Sequence, residues 1–139
     1  MWVWAGLAVA VWLVTLTAVD VREHRLPNAL TLPGATLILA GAVASGRGLP
    51  AIVGALALTG GYLVVHLVSP AAMGAGDVKL ALGLGALAGA FGVDAWIWAA
   101  LGAPLLTALW GLLSRRRVLP HGPAMCAATA LAVFLAISV

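Results

Sequence analysis

The chain has 139 residues, 64% of them hydrophobic and 8% charged, with a mean hydropathy of +1.16. A soluble domain is roughly 45–50% apolar and 25% charged, so this composition excludes a water-soluble globule and points to one domain, 1–139, solvated by lipid. The net charge of +3 does not argue for a nucleic-acid surface, because three of the seven basic residues stand together as Arg115-Arg116-Arg117 beside an apolar run, where they read as a topology signal and a headgroup contact.

A membrane helix needs about 20 apolar residues, with about 17 tolerated. The first run, about 2–19, lacks a basic n-region and outlasts a secretory signal core, so it is expected to remain as the first span. Asp20 closes it, and a polar loop with Arg22, Glu23, His24 and Arg25 follows. Pro27-Asn28 then serves as the entry to a second span at about 29–45, with Pro33-Gly34 near its start offering a kink. A third span covers about 51–68. The loop Ser69–Gly76 leads to a shorter one at about 78–93, which must begin near Asp77 or earlier to be long enough. A tight turn around Gly92–Asp94, a span at about 95–113, the basic loop Ser114–Gly122 and a last span at about 123–139 complete the chain. The expected fold is an all-α membrane protein, a bundle of about six transmembrane helices.

On alternate sides of such a bundle, Arg22, Arg25, Lys79 and Arg115 to Arg117 oppose Arg47 alone. The positive-inside rule makes the richer side cytoplasmic and turns both chain ends outward. Trp2, Trp4, Trp96 and Trp98 then fall in an outer aromatic belt and Trp110 near the cytoplasmic arginines, whereas Trp12 fits neither belt and is expected between helices. Gly85 and Gly89, and the adjacent Gly60-Gly61, suit close helix approach. Cys126 has no second cysteine, which excludes an intrachain disulfide.

Four acidic residues exist in the chain, and an ionisable group at membrane depth is a functional candidate by default. Asp20 and Asp77 lie on the same expected side, each at a helix end, so they can meet across the bundle. Two close carboxyls share their ionisation: one holds charge and draws a proton from water, while the other keeps its proton and polarises a scissile carbonyl. The competing structural readings are an ion pair of Asp20 with Arg22 or Arg25, and a helix cap or first-turn role for Asp77. Around Asp77 the sequence reads Met73-Gly74-Ala75-Gly76-Asp77-Val78-Lys79-Leu80. Gly74 and Gly76 ahead of the acid permit positive φ and close approach by another backbone, such as an extended peptide. Lys79, two residues beyond Asp77, is expected on another face, as a snorkelling cation or a phosphate contact. The dispersed His24, His66 and His121 have no ligand spacing, and neither HExxH nor GxSxG occurs, so no metal and no cofactor is expected.

The block Asp20-Val21-Arg22-Glu23-His24-Arg25-Leu26-Pro27-Asn28, continuing through Pro33-Gly34, then Gly74-Ala75-Gly76-Asp77-Val78-Lys79-Leu80, and later Leu119-Pro120-His121-Gly122-Pro123, resembles the prepilin peptidase (type IV leader peptidase) family of GxGD aspartyl proteases in its short, peptidase-only form. That resemblance implies Asp20 and Asp77 as the catalytic pair, with Pro27, Asn28, Gly74, Gly76 and Lys79 as supporting motif residues. It also implies pilin-like precursors as substrates, cut after a short basic leader at the cytoplasmic face of the bacterial inner membrane. His121 and Ala124 stand where the family carries aromatic residues. The alternatives are a small transporter with Asp20, Asp77 and Lys79 along an ion path, and a non-catalytic assembly factor of a pilus or secretion apparatus. A transport path places polar groups near the midplane, whereas these acids gather at one surface.

Overall fold

The computed structural model describes residues 2–116 and 119–139, apart from the Trp2 side chain; Arg117 of the arginine cluster lies outside the described residues. Those residues form six helices: α1 (Trp2–Glu23), α2 (Asn28–Ala44), α3 (Gly48–Val68), α4 (Ala75–Ala90), α5 (Val93–Ser114) and α6 (Gly122–Ser138). The all-helical bundle expected from hydropathy is the fold. Three helices, α1, α3 and α5, are long and apolar enough to cross a membrane, and α2 and α6 are shorter apolar helices.

The lengths alternate. Helices α1, α3 and α5 have 22, 21 and 22 residues, and each is followed by one five residues shorter, 17, 16 and 17. Five residues is about 7.5 Å of helix. The three short helices all begin at the same end of the bundle, because the connections α1–α2, α3–α4 and α5–α6 meet there around Asp20, Asp77 and Gly122. Non-helical backbone is tolerated at membrane depth only where protein or a water-filled cavity covers it, and here the first and second connections line a common cleft.

Helix α4 is the centre. Leu80, Ala81 and Gly83 to Gly89 are all buried, and α4 touches α2, α3, α5 and α6, most extensively α3. A helix of 16 residues spans about 24 Å, less than the roughly 30 Å of a hydrocarbon core, and it is sheltered on most sides by the longer helices. The α3–α4 crossing is built from glycine. A Cβ on Gly85 would stand 2.6 Å from the Gly54 carbonyl oxygen, and one on Gly89 would stand 2.5 Å from that of Pro50. At Gly60 and Gly61, in contrast, a Cβ would meet nothing within 4 Å, so neither glycine serves packing.

Trp12 lies between helices as its position outside both belts indicated. Its indole N–H donates to the Leu30 carbonyl at 2.8 Å, and its ring occupies the space left by the missing side chains of Gly34 and Gly83. Gly34 therefore serves the α1–α2 contact, a role that the expected kink at Pro33-Gly34 did not include. Trp96 departs from the expected belt in the same way, since its N–H donates to the Gly54 carbonyl at 2.9 Å and ties α5 to α3. Trp4 and Trp98 are exposed, consistent with a lipid-facing belt.

Two boundaries differ from expectation. Helix α1 runs to Glu23, so Asp20 sits inside its last turn and Glu23 is helical. The charged residues end the apolar run but not the helix, which has no physical reason to stop where the hydrocarbon does. Asp77 falls at the third position of α4, after the N-cap Gly74, a first-turn acid as one of its structural readings held.

Candidate active site

Asp20 and Asp77 line one cleft of about 630 Å³ at the end where the short helices begin. Its walls come from Asp20 and the stretch His24 to Ala29 on one side, and from Gly74 to Asp77 with Lys79 on the other. Asp20 is buried, at 5% exposure, and Asp77 is half-buried. Asp20 comes from α1 and Asp77 from α4, so the cleft brings together acids from two helices.

The buried Asp20 carboxylate is held from a third helix. Gly122 N–H donates to Asp20 Oδ2 at 3.0 Å. Gly122 is the first residue of α6, where unpaired amides and the helix dipole both favour an anion. Pro123 in the next position has no N–H, which leaves Gly122 as the well-placed donor. Gly122 must also be glycine, because a Cβ there would run into Asp20 Oδ2. Among the described residues Asp20 is thus anchored by a backbone amide, and the expected alternative of a pair with Arg22 or Arg25 is not what holds it.

Gly74 and Gly76 act through close approach only. The φ at Gly74 is −72°, Gly76 is helical, and the positive-φ glycines are Gly46 and Gly92, so the positive φ expected ahead of Asp77 is not used. A Cβ on Gly76 would stand 3.2 Å from Leu26 Cβ, so the glycine lets the first turn of α4 lie on the Leu26 loop. Gly74 is exposed and borders Asp77 Oδ2, leaving the backbone open on the cleft side.

Pro27 caps α2 in extended geometry (φ −70°, ψ 142°) and Asn28 is its first residue, the helix entry that the sequence indicated. Lys79 differs from expectation. Its Nζ donates to Asn28 Oδ1 at 2.8 Å and its side chain lines the same cleft as Asp77, because a long flexible stem reaches around the helix. The pair ties the start of α4 to the start of α2. Lys79→Met should cut activity several-fold while Asn28→Asp, which converts the contact into an ion pair, should retain most of it; equal loss in both would show that the tie is not what matters. Steady-state kinetics on the two variants decide this.

Several residues in and around the cleft were not singled out by sequence. His24 takes up a left-handed conformation (φ +50°) after α1 and lines the cleft beside Asp20. His66 Nδ1–H donates to the Met73 carbonyl at 2.6 Å, fixing the loop that leads into Asp77. His121 bonds Thr107 and Tyr62 next to Gly122. A lone histidine in an apolar chain carries no spacing signal, and the Leu119-Pro120-His121-Gly122-Pro123 block marked this stretch by resemblance without showing what His121 contacts. Replacing His66 by Phe should free the loop and lower kcat by several-fold with small change in melting temperature, read by activity and thermal unfolding of the same preparation.

A bundle of apolar helices with two carboxyls meeting in a cleft at one end defines a polytopic membrane protein with a paired-acid candidate site. The chain belongs to the type IV leader peptidase family, whose model matches residues 7–114 and so includes both Asp20 and Asp77. It is a membrane protein and a type IV leader peptidase-like protease, as the blocks around Asp20 and Asp77 implied, whereas the third block, Leu119 to Pro123, lies beyond the matched residues. No curated protein matches it, and no solved structure does.

Proposed function

We propose that this protease is an aspartic endopeptidase, with Asp20 and Asp77 as its catalytic pair, that removes the leader of type IV pilin-like precursors at the cytoplasmic face of a bacterial inner membrane. The observation that carries the reading is that both acids line one cleft. One carboxylate takes a proton from a water, the resulting hydroxide attacks the scissile carbonyl, and the second carboxyl donates its proton as the carbonyl oxygen gains charge. As the tetrahedral diol collapses, one of its hydroxyls gives its proton back to the second acid and the amine leaves with the proton held by the first, so that a carboxyl product forms and the pair is regenerated.

The alternating helix lengths support a cleft below the level of the long helix ends, which suits a substrate whose cut lies beside its own membrane segment. The apolar segment of the precursor stays in lipid against the bundle while its leader extends into the cleft. His24, Arg25 and Lys79 at the rim and the arginines after α5 support a cytoplasmic position under the positive-inside rule.

The test is cleavage of a pilin-like precursor by the purified protein in lipid vesicles, with the products identified by mass spectrometry. A single cut at the end of the basic leader is the expected result. A folded protein that leaves every precursor of this type intact would overturn the substrate assignment.

A further inference from the structure

The carboxylate of Asp20 depends on an amide at the start of α6, so whatever fixes that start also fixes the acid. His121 is the residue immediately before Gly122, and both of its ring nitrogens are occupied. Thr107 Oγ1 donates to the Ala103 carbonyl at 3.0 Å, which leaves its oxygen to accept from His121 Nδ1–H at 2.6 Å. His121 Nε2 then carries no proton and accepts the Tyr62 hydroxyl at 3.3 Å. Every donor in this chain has an acceptor only when the ring is neutral, and burial lowers the pKa of His121 in agreement. The two partners come from different helices, Tyr62 from α3 and Thr107 from α5. The imidazole thereby pins the first turn of α6 between them, and the rings of Tyr62 and His121 also pack at a centroid distance of 5.8 Å.

We propose that His121 is a positioning residue for Asp20: clamped by Tyr62 and Thr107, it holds the Gly122 amide on the carboxylate in the geometry that the reaction needs. The inference rests on the reading of Asp20 as a catalytic acid. Among the described residues the His121 ring bonds Tyr62 and Thr107 and neither acid, so it acts through one backbone amide. A side chain that only filled space would be replaced by any residue of similar bulk, whereas a clamp requires both hydrogen bonds and a fixed ring.

The experiment measures kcat and KM on a pilin-like precursor for His121→Ala, Tyr62→Phe and Thr107→Val, beside amide exchange at Gly122 in glycine-labelled protein. In folded His121→Ala, kcat is expected to fall about ten- to a hundredfold with KM within about twofold, because a small displacement of a reacting group costs rate and not binding. Tyr62→Phe and Thr107→Val should each cost less, and neither should add to the loss in His121→Ala, as expected for members of one network. Exchange of the Gly122 amide should quicken about tenfold in His121→Ala, a readout independent of peptidase activity. Unchanged kcat together with unchanged exchange overturns the clamp. If His121→Ala does not fold, the two hydroxyl deletions decide: wild-type kcat in both overturns it. Failure of the underlying reading looks different, since Asp20→Asn would then cut normally whatever the exchange at Gly122 does.

Discussion

Asp20→Asn and Asp77→Asn are each expected to abolish cleavage, with a loss of about a hundred- to ten-thousand-fold, while leaving the protein folded. An amide keeps the shape of the carboxyl but can neither take the proton from water nor supply one to the carbonyl oxygen. At position 20 the asparagine oxygen can still accept the Gly122 N–H, so the contact between α1 and α6 survives. Asp20→Ala is the informative contrast: it leaves that buried amide unpaired, at a cost of about 1–3 kcal/mol, and should lower thermal stability as well as activity. The measurement is cleavage of a precursor beside a melting curve for all three variants. Loss of activity without loss of stability in both asparagine variants identifies two reacting acids. Normal cleavage by either one removes that acid from the mechanism.

The same pair predicts the shape of the pH–rate profile. Activity falls on the acid side as the charged member gains a proton and on the alkaline side as the other member loses its own. The two limbs belong to the coupled pair, so neither can be assigned to one residue from the profile alone. A profile with one limb would argue that one of the two carboxyls does not exchange protons in the rate-limiting step.

The sequence made the number of helices and their approximate limits legible because hydropathy alone decides which stretches can lie in lipid. It also made the pair legible, because an acid in a chain this apolar has few reasons to be there, and because the blocks around Asp20 and Asp77 carry a family resemblance. What it could not show is which face of each helix meets which neighbour. In a soluble helix the polar side marks the surface, but here the lipid-facing and inward-facing sides are equally apolar, so no periodicity distinguishes them. That is why Gly60-Gly61 looked as suited to packing as Gly85 and Gly89, although the first pair faces open space and the second a carbonyl-lined crossing. The anchoring of Asp20 by Gly122 escaped for a related reason. It joins positions at opposite ends of the chain through a backbone N–H, a group that every residue but proline possesses. Lys79 lines the cleft of Asp77 although helical spacing sets the two on different faces, because spacing describes where a side chain begins and not where a flexible one ends.

The α3–α4 crossing yields the other large effect. Gly85→Ala and Gly89→Ala each insert a methyl where the nearest atom is a carbonyl oxygen of α3, at 2.6 and 2.5 Å. Neither oxygen belongs to a side chain that can rotate away, so the helices must separate. Overpacking of this kind costs about 1–3 kcal/mol for a single substitution, and two together should cost more than either alone. Since α4 carries Asp77 and Lys79 near its start, activity should fall along with stability as the crossing opens. Gly60→Ala and Gly61→Ala supply the control on the same helix pair, because a methyl at either position meets no atom within 4 Å and replaces a poor helix former with a good one. Thermal unfolding in one detergent or lipid should therefore lower the melting temperature of the Gly85 and Gly89 variants and leave the Gly60 and Gly61 variants at or above wild type. Equal behaviour of the two sets would mean that α3 and α4 do not cross through Gly85 and Gly89, and the central position of α4 would have to be redrawn. Unequal stability with undiminished activity would instead mean that the first turn of α4 is held by its ties to Leu26 and Asn28 independently of the crossing below it.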